Sequence, residues 1–427
     1  MRGIAGLVSG EHHPARKHLR GRGYFRRLGP GIVTGAADDD PSGIATYSQV
    51  GAATGNRLLW SAPVLLPLAF AVQEACARLS LVTGRGLAGI MKDRLPRPVL
   101  YLCVALVVVA NTVNIAADLG SMAAALRLIV PVPYLLGVVG FAAIIVTAEV
   151  LIPYHQYARV LRWLCLSLLA YVAVLFVADV AWGQVWRDLL LPGFEWNRAD
   201  IALLIALAGT TISPYLFFWQ AAEEVEDRDR GSNYRVSDTH IRAMRGDVLA
   251  GMMTGVLIMS AIMITASATL HESGVRSIET AEQAASALRP IAGDYAGVLF
   301  LLGILGVGLL SVPVLAGASA YAIAETFGWR ESLEKRPSQA KAFYAVIIAS
   351  IGIGLVLNTV GPGPMTFLLV AAITNGLAAP ILLTVVWWLS SSTSLLGEWR
   401  SPLWSRILLG LAILFMALLP ILWLIAP

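Results

Sequence analysis

Three consecutive carboxylates, Asp38, Asp39 and Asp40, precede Pro41, Ser42 and Gly43 in a stretch that otherwise reads as a membrane span. A charge at bilayer depth is so costly that three survive only against water, a cation or a protein cavity, and broken backbone is tolerated there only where it lines such a cavity. A second stretch, Gly209-Thr210-Thr211-Ile212-Ser213-Pro214-Tyr215, puts hydroxyls just before a proline inside another apolar run. The proline removes one helix hydrogen bond and clashes with the preceding turn, which loosens the backbone carbonyl near Thr210. Carboxylates, hydroxyls and freed carbonyls are hard donors suited to Mg²⁺, Ca²⁺ or Mn²⁺, and neither break contains Met or Cys.

Asp40, beside the proline, is the expected anionic ligand. Asp39 and Asp38 point about 100° and 200° away round a helix, so at most one shares the cavity while the other caps a helix end or lines an entry path. Thr210 offers a carbonyl or hydroxyl and Ser213 a hydroxyl, directly or through water, with bonding inside the helix as the competitor. Asp40, Thr210 and Ser213 form the expected metal set, joined by Asp39 and Gly43. Because Gly43 adds no side chain and Ser213 a small one, the room left suits Mg²⁺, which keeps several of its waters. Asp118, with Asn111 and Asn114 at helical spacing, lines a path or bonds between helices. Glu223 and Glu224 lie near the end of the sixth span, where Glu223 and Gln220 could share a face, and Asn375 beside Gly376 stands behind the site. All six histidines, His12, His13, His18, His155, His240 and His271, fall in the tail, in loops or at span edges, so mid-membrane proton transfer would fall to carboxylates.

Helices must carry these groups. The chain is 57% hydrophobic and 14% charged, with apolar residues in blocks of about twenty, the composition of an all-α integral membrane protein. Blocks long enough to span lie near residues 30–55, 57–82, 98–129, 132–152, 156–182, 200–226, 244–270, 293–325, 340–360, 365–391 and 403–425, about eleven helices. Basic residues crowd the N-terminus (Arg2 to Arg27) and recur after every second span (Arg85 to Arg97, Arg228 to Arg245, Arg330 to Lys341). The positive-inside rule therefore makes this a multi-pass cell-membrane protein with a cytoplasmic N-terminus. The net charge of +4 is then a topology signal and not a nucleic-acid footprint. Residues 1–28 lack an apolar h-region, so the first span acts as the insertion signal. Cys76, Cys103 and Cys165 fall inside spans without CxxC spacing and read as packing residues.

Spans one and six are both interrupted, five spans apart, which is the signature of an inverted repeat with its site at the midplane. The organisation expected is a basic cytoplasmic tail over 1–28 and a ten-helix core over 29–391. Two repeats near 29–183 and 199–391 make up that core, and an eleventh helix follows over 402–427.

These residues resemble a known family. Gly29-Pro30-Gly31 leading into Asp40-Pro41-Ser42-Gly43-Ile44-Ala45-Thr46 is similar to the first helix of the Nramp divalent-metal transporters, whose motif is Asp-Pro-Gly-Asn followed by Ala-Thr. Gln73 with Arg78-Leu79-Ser80-Leu81-Val82-Thr83-Gly84, and Asp118-Leu119, resemble the second and third spans of the same family. The resemblance implies a LeuT-type five-plus-five inverted repeat with helices 1 and 6 discontinuous. At the implied metal site the family's Asp corresponds to Asp40, its Asn to Gly43, its Ala to Thr210 and its Met to Ser213. Its two sixth-helix histidines correspond to Tyr215 and Gln220, and its third-span Glu to Ser121. Loss of the sulfur and of the proton-linked groups is similar to the Nramp-related magnesium transporters. The resemblance thus implies transport of Mg²⁺, with Mn²⁺ tolerated, not driven by protons.

The expected protein is an alternating-access transporter of Mg²⁺ or Mn²⁺, with the metal as substrate and no cofactor. Alternatives are a proton-coupled Mn²⁺/Fe²⁺ transporter, a carrier of an organic cation or amino-acid-derived substrate, and a non-transporting metal sensor. An intramembrane aspartyl protease would need paired catalytic aspartates, and neither a Tyr-Asp nor a Gly-x-Gly-Asp pattern occurs within the spans, so no enzyme is expected. The partners implied are the lipid bilayer and the ion, and the oligomeric state is left open.

Overall fold

An apolar run of twenty residues can satisfy its backbone in lipid only by bonding to itself, and a helix is the local way to do so. The computed structural model describes residues 34–35, 38–152, 166–229, 236–333, 337–361 and 363–427, and every regular element among them is helical. The first half contains α1 (Pro41–Thr54), α2 (Ser61–Thr83), the short α3 (Leu87–Arg94), α4 (Arg97–Leu126) and α5 (Tyr134–Leu151). The second half contains α6 (Arg198–Thr211), α7 (Pro214–Asp229), α8 (Asp238–Ala266) and α9 (Ala296–Phe327). It ends with α10 (Lys341–Val360), α11 (Pro364–Ser390) and α12 (Leu403–Ile425).

Among the described residues, nine stretches are long and apolar enough to cross a membrane, with α6 and α7 together counting as one. The other two of the eleven expected spans run beyond the described residues. The first is seen as α1 and the fifth as a short helix, Leu169–Val174. The basic tail over 1–28, Gly29-Pro30-Gly31, Cys165, His12, His13, His18 and His155 likewise lie outside the described residues.

α4 is the hub of the bundle and packs against α9, α10 and α11, while α1 lies against α8, α11 and α6. The apolar part of the α6–α7 pair is 94% buried, against 22% for α12, so the broken span is central and α12 peripheral. Ile407, Leu414 and Leu424 on α12 are exposed, as suits a surface that meets acyl chains.

Two constraints hold the broken span in place. A Cβ on Gly209 of α6 would collide with the Ala372 carbonyl of α11, and a Cβ on Gly376 would stand 2.6 Å from the Ile205 carbonyl. The two backbones touch because both positions lack side chains, the usual way membrane helices approach closely. Farther along the bundle, Glu74 of α2 is fully buried and accepts from Arg78 one turn on, from Arg245 Nε of α8 at 2.8 Å and from Ser405 of α12 at 3.2 Å. One carboxylate thereby ties three helices together. Arg245, read above only as an orientation signal, is one of its partners.

Gly209→Val is expected to force α6 and α11 apart, at a cost of about 1–3 kcal/mol. The purified protein should melt several degrees lower, whereas Gly140→Ala, with open space around it, should leave the melting temperature unchanged. Glu74→Gln strips two cations of their counter-charge and should destabilise by about 3–5 kcal/mol. Breaking the exposed Arg85–Asp93 pair should cost about 0–1 kcal/mol by the same denaturation measurement.

Candidate metal centre

The first break is built by a cap. The chain bends at Asp39, and Asp40 is extended with φ −65° and ψ 171°, which makes it the N-cap of α1. Its Oδ1 accepts from the Gly43 amide at 2.8 Å and the Ser42 hydroxyl at 2.7 Å. Such a carboxylate satisfies backbone donors that lipid cannot and complements the positive end of the helix. Pro41 occupies the first helical position, where its fixed φ fits and its missing N–H is not needed. Two expectations are corrected here. Pro41 starts a helix instead of breaking one, so the interruption precedes it and Gly43 lies within the first turn. The cap of α1 is Asp40, whereas capping was foreseen only as one of two roles for Asp38 or Asp39.

The second break falls just before the proline, as expected. α6 ends at Thr211, Ile212 leaves helical geometry, and α7 begins at Pro214. Thr210 O stands four residues before Pro214, which has no N–H to offer, and the Ser213 hydroxyl reaches this carbonyl at 2.7 Å and that of Gly209 at 2.8 Å. The Thr210 hydroxyl turns back to the Ala206 and Leu207 carbonyls, both at 3.1 Å. These bonds use the hydroxyl protons and leave lone pairs on both oxygens.

Tyr47 joins the breaks. It is buried one turn beyond Gly43, a Cβ on Gly43 would lie 3.3 Å from its ring, and its hydroxyl is within reach of Thr210 and Thr211. On the other side of the breaks, the Thr34 hydroxyl donates to Gln220 of α7 at 2.6 Å, and Gln220 donates to Glu224 at 3.0 Å. Gln220 therefore lines up with Glu224. Four residues along a helix bring side chains nearly into register, and Gln220 and Glu224 have that spacing.

The polar stripe on α4 divides. Asn111 donates to Leu315 O and Ser319 Oγ of α9 at 3.1 and 2.9 Å, a bond between helices and not a path. Asn114 donates to Asp40 Oδ2 at 2.6 Å and accepts from Asn375 of α11 at 3.4 Å. Asp118 accepts from Ser311 at 2.8 Å, and the buried Tyr215 lies near Asp40, Asp38 and Asp118. Asp118 and Asn375 thus sit around Asp40, whereas Thr34, Gln220 and Glu224 form a separate network.

Asp38, Asp39, Asp40 and Asp118 are all at most 2% exposed, and among the described residues no ion pair gives any of them a Lys, Arg or His partner. Asp38 Oδ1, Asp39 Oδ1, Asp118 Oδ1 and Asn375 Oδ1 accept no hydrogen bond. Buried carboxylates without a counter-charge require a cation or a proton. Also among the described residues, no group of three or more His, Cys, Asp or Glu is arranged to hold a metal, so an ion at Asp40 must draw on neutral oxygens as well. One sulfur comes near, since Met259 Sδ of α8 lies 3.6 Å from the Thr211 hydroxyl. The sequence places no sulfur in either break, and only helix packing brings this one in.

Other partners were missed in the same way. Tyr47 repeats Gly43 at helical spacing and Ser42 sits where caps recruit hydroxyls, so both had local signals. Thr34 meets Gln220 across 186 residues, Ser311 and Met259 arrive from helices distant in sequence, and none of these contacts had a local signal.

The family pattern described as "Natural resistance-associated macrophage protein-like" (Nramp) matches residues 31–426. A protein of Aeromonas hydrophila subsp. hydrophila named divalent metal cation transporter MntH is 27% identical over 398 residues, which span 91% of each chain. The protein of that name from Erwinia tasmaniensis is 30% identical over 296 residues, 68% of this chain and 70% of that one. Among solved structures, a manganese transporter of Eremococcus coleocola, in complex with an aromatic bis-isothiourea substituted compound, superposes with a TM-score of 0.73 at 17% identity, covering 93% of this chain and 87% of that one. Mhp1, a nucleobase-cation-symport-1 family transporter, superposes at 0.57 with 15% identity over 92% and 93% of the two chains. These structural likenesses establish the shared fold, the LeuT-type arrangement expected from two interrupted spans. With a family match running from the first span to the last helix, the chain belongs to the Nramp family.

Proposed function

We propose that this protein is an alternating-access transporter of divalent metal cations that imports Mg²⁺ or Mn²⁺ across the cell membrane without a coupled proton. The observation that carries this reading is the group of buried carboxylates around Asp40, unpaired with any cationic side chain among the described residues and surrounded by oxygen donors. Family membership and relatives named divalent metal cation transporter support it and speak against an enzyme. The distribution of Arg and Lys orients the N-terminus to the cytoplasm. An inside-negative potential then supplies roughly 2.3 kcal/mol per charge per 100 mV, enough to drive a divalent ion inward.

Asp40 is the anionic ligand in this reading, and Thr210 and Ser213 contribute lone pairs whose protons are turned to the helix carbonyls. Alternation follows from the breaks. Tyr47 links the segments on one side of the site, Thr34 and Gln220 those on the other, and each link can open while its counterpart holds. A second reading, a proton-coupled Mn²⁺ or Fe²⁺ carrier, is favoured by one observation, the Met259 thioether beside Thr211.

In proteoliposomes, wild-type protein should show saturable Mg²⁺ or Mn²⁺ uptake that leaves internal pH unchanged, and Asp40→Ala should abolish it. Uptake by that variant at the wild-type rate removes Asp40 from the site, while acidification that tracks uptake establishes the second reading. Ser213→Met adds a soft ligand and should raise Cd²⁺ and Mn²⁺ affinity relative to Mg²⁺. An unchanged order of preference in competition uptake would show that position 213 does not face the ion.

A further inference from the structure

Asp40 is less open to an ion than its position suggests. Its Oδ1 already accepts two hydrogen bonds from the first turn of α1, and its Oδ2 faces the amino group of Asn114 at 2.6 Å. An ion that engages Asp40 without dismantling the cap must do so through Oδ2, and there it meets two N–H protons of a carboxamide. A cation placed there repels the N–H dipole of Asn114, and turning the carboxamide over replaces that repulsion with a metal–oxygen contact.

We propose that Asn114 is itself a ligand of the transported ion, its carboxamide turning over so that Oδ1 coordinates the metal beside Asp40 Oδ2, with Asn375 turning in concert to hold it there. This rests on the reading of Asp40 as a divalent-cation ligand. Three features carry it. Asn114 is completely buried next to the carboxylate and is the neutral side chain that reaches Oδ2, while an ion at this place must find neutral oxygens. In the present orientation Nδ2 faces the carboxylate, and only a turned carboxamide brings Oδ1 to an ion at Asp40 Oδ2. Finally, beyond the bond to Asp40 that the ion replaces, little holds the carboxamide. Asn114 Oδ1 is held by a single long bond of 3.4 Å from Asn375 Nδ2, and Asn375 Oδ1, also fully buried, accepts no bond at all.

The exchange conserves bonds. Without the ion, Asn114 donates to Asp40 and accepts from Asn375. With it, Asn114 Oδ1 binds the metal, its Nδ2 points to α11, and Asn375 presents its unused oxygen as the acceptor. A carboxamide oxygen is a hard ligand of the kind that Mg²⁺ and Mn²⁺ accept. Because Asn114 lies on α4 and Asn375 on α11, the ion draws both helices to the start of α1. The site thereby senses its own occupancy.

Mn²⁺ binding to the detergent-purified full-length protein, measured by isothermal titration calorimetry, tests this. Asn114→Leu keeps the volume and removes the oxygen, and should weaken Mn²⁺ binding about tenfold or more. Asn114→Asp keeps an oxygen toward the ion and loses the donor to Asp40, and should bind at least as tightly as wild type. Asn375→Leu should weaken binding less than Asn114→Leu does. Wild-type affinity in a folded Asn114→Leu protein overturns the proposal. So does an Asn114→Asp protein that binds Mn²⁺ more weakly than wild type, since the donor to Asp40 would then matter and not the ligand oxygen. Should Asn114→Leu fail to fold, Asn114→Asp decides alone. Absence of Mn²⁺ binding in wild type, or full binding in Asp40→Ala, would instead bring down the underlying assignment of Asp40.

Discussion

A helix that begins in the middle of a membrane presents backbone amides that lipid cannot satisfy, and in this bundle the Asp40 carboxylate meets that demand for α1. The bond to the Gly43 amide fixes where the helix starts, and Pro41 at its first position fixes the direction it takes. Everything near the centre answers to this placement. Asn114 on α4 is aimed at the second oxygen of the same carboxylate, and Asn375 on α11 supports Asn114 in turn. One group thus serves as structural cap and as the acceptor on which Asn114 converges. A change there alters the fold of the first span and its charge together.

The second interruption is satisfied by different chemistry. Pro214 deprives the Thr210 carbonyl of its amide, and the hydroxyl of Ser213 fills the vacancy from within the helix. This repair is local, so it leaves α6 free to be positioned by packing. The contact of Gly209 and Gly376 with opposing carbonyls sets how closely α6 and α11 approach, and α11 is the helix that delivers Asn375. The absence of two side chains in one place therefore determines the reach of a carboxamide in another.

Charge is divided in an orderly way through the bundle. Glu74 has two arginines and a hydroxyl and acts as a fastening between helices. Asp38, Asp39, Asp40 and Asp118 have no such partners among the described residues, and several of their oxygens accept nothing. Buried carboxylates of the first kind are complete, and those of the second kind are complete only with a cation or a proton bound. Burial alone does not make this distinction, since Glu74 is as buried as the aspartates.

Several features were legible in the residue order because they follow from local physics. Apolar blocks of about twenty residues impose helices, Pro214 imposes a break after Thr211, and the row of aspartates can be tolerated only in an interior cavity. The motif from Asp40 to Thr46 pointed correctly to the Nramp family. The role of Asp40 as a cap was missed, although an acid before a proline is itself a helix start. What the sequence could not disclose is which groups meet across the bundle. Asn114 and Asn111 look alike at helical spacing, yet one reaches Asp40 and the other Ser319. Gln220 pairs with Glu224 and Thr34, and Met259 brings a sulfur that neither break contains. Those outcomes depend on the rotation and separation of packed helices. Contacts between remote helices decide both, and no local pattern of residues records them.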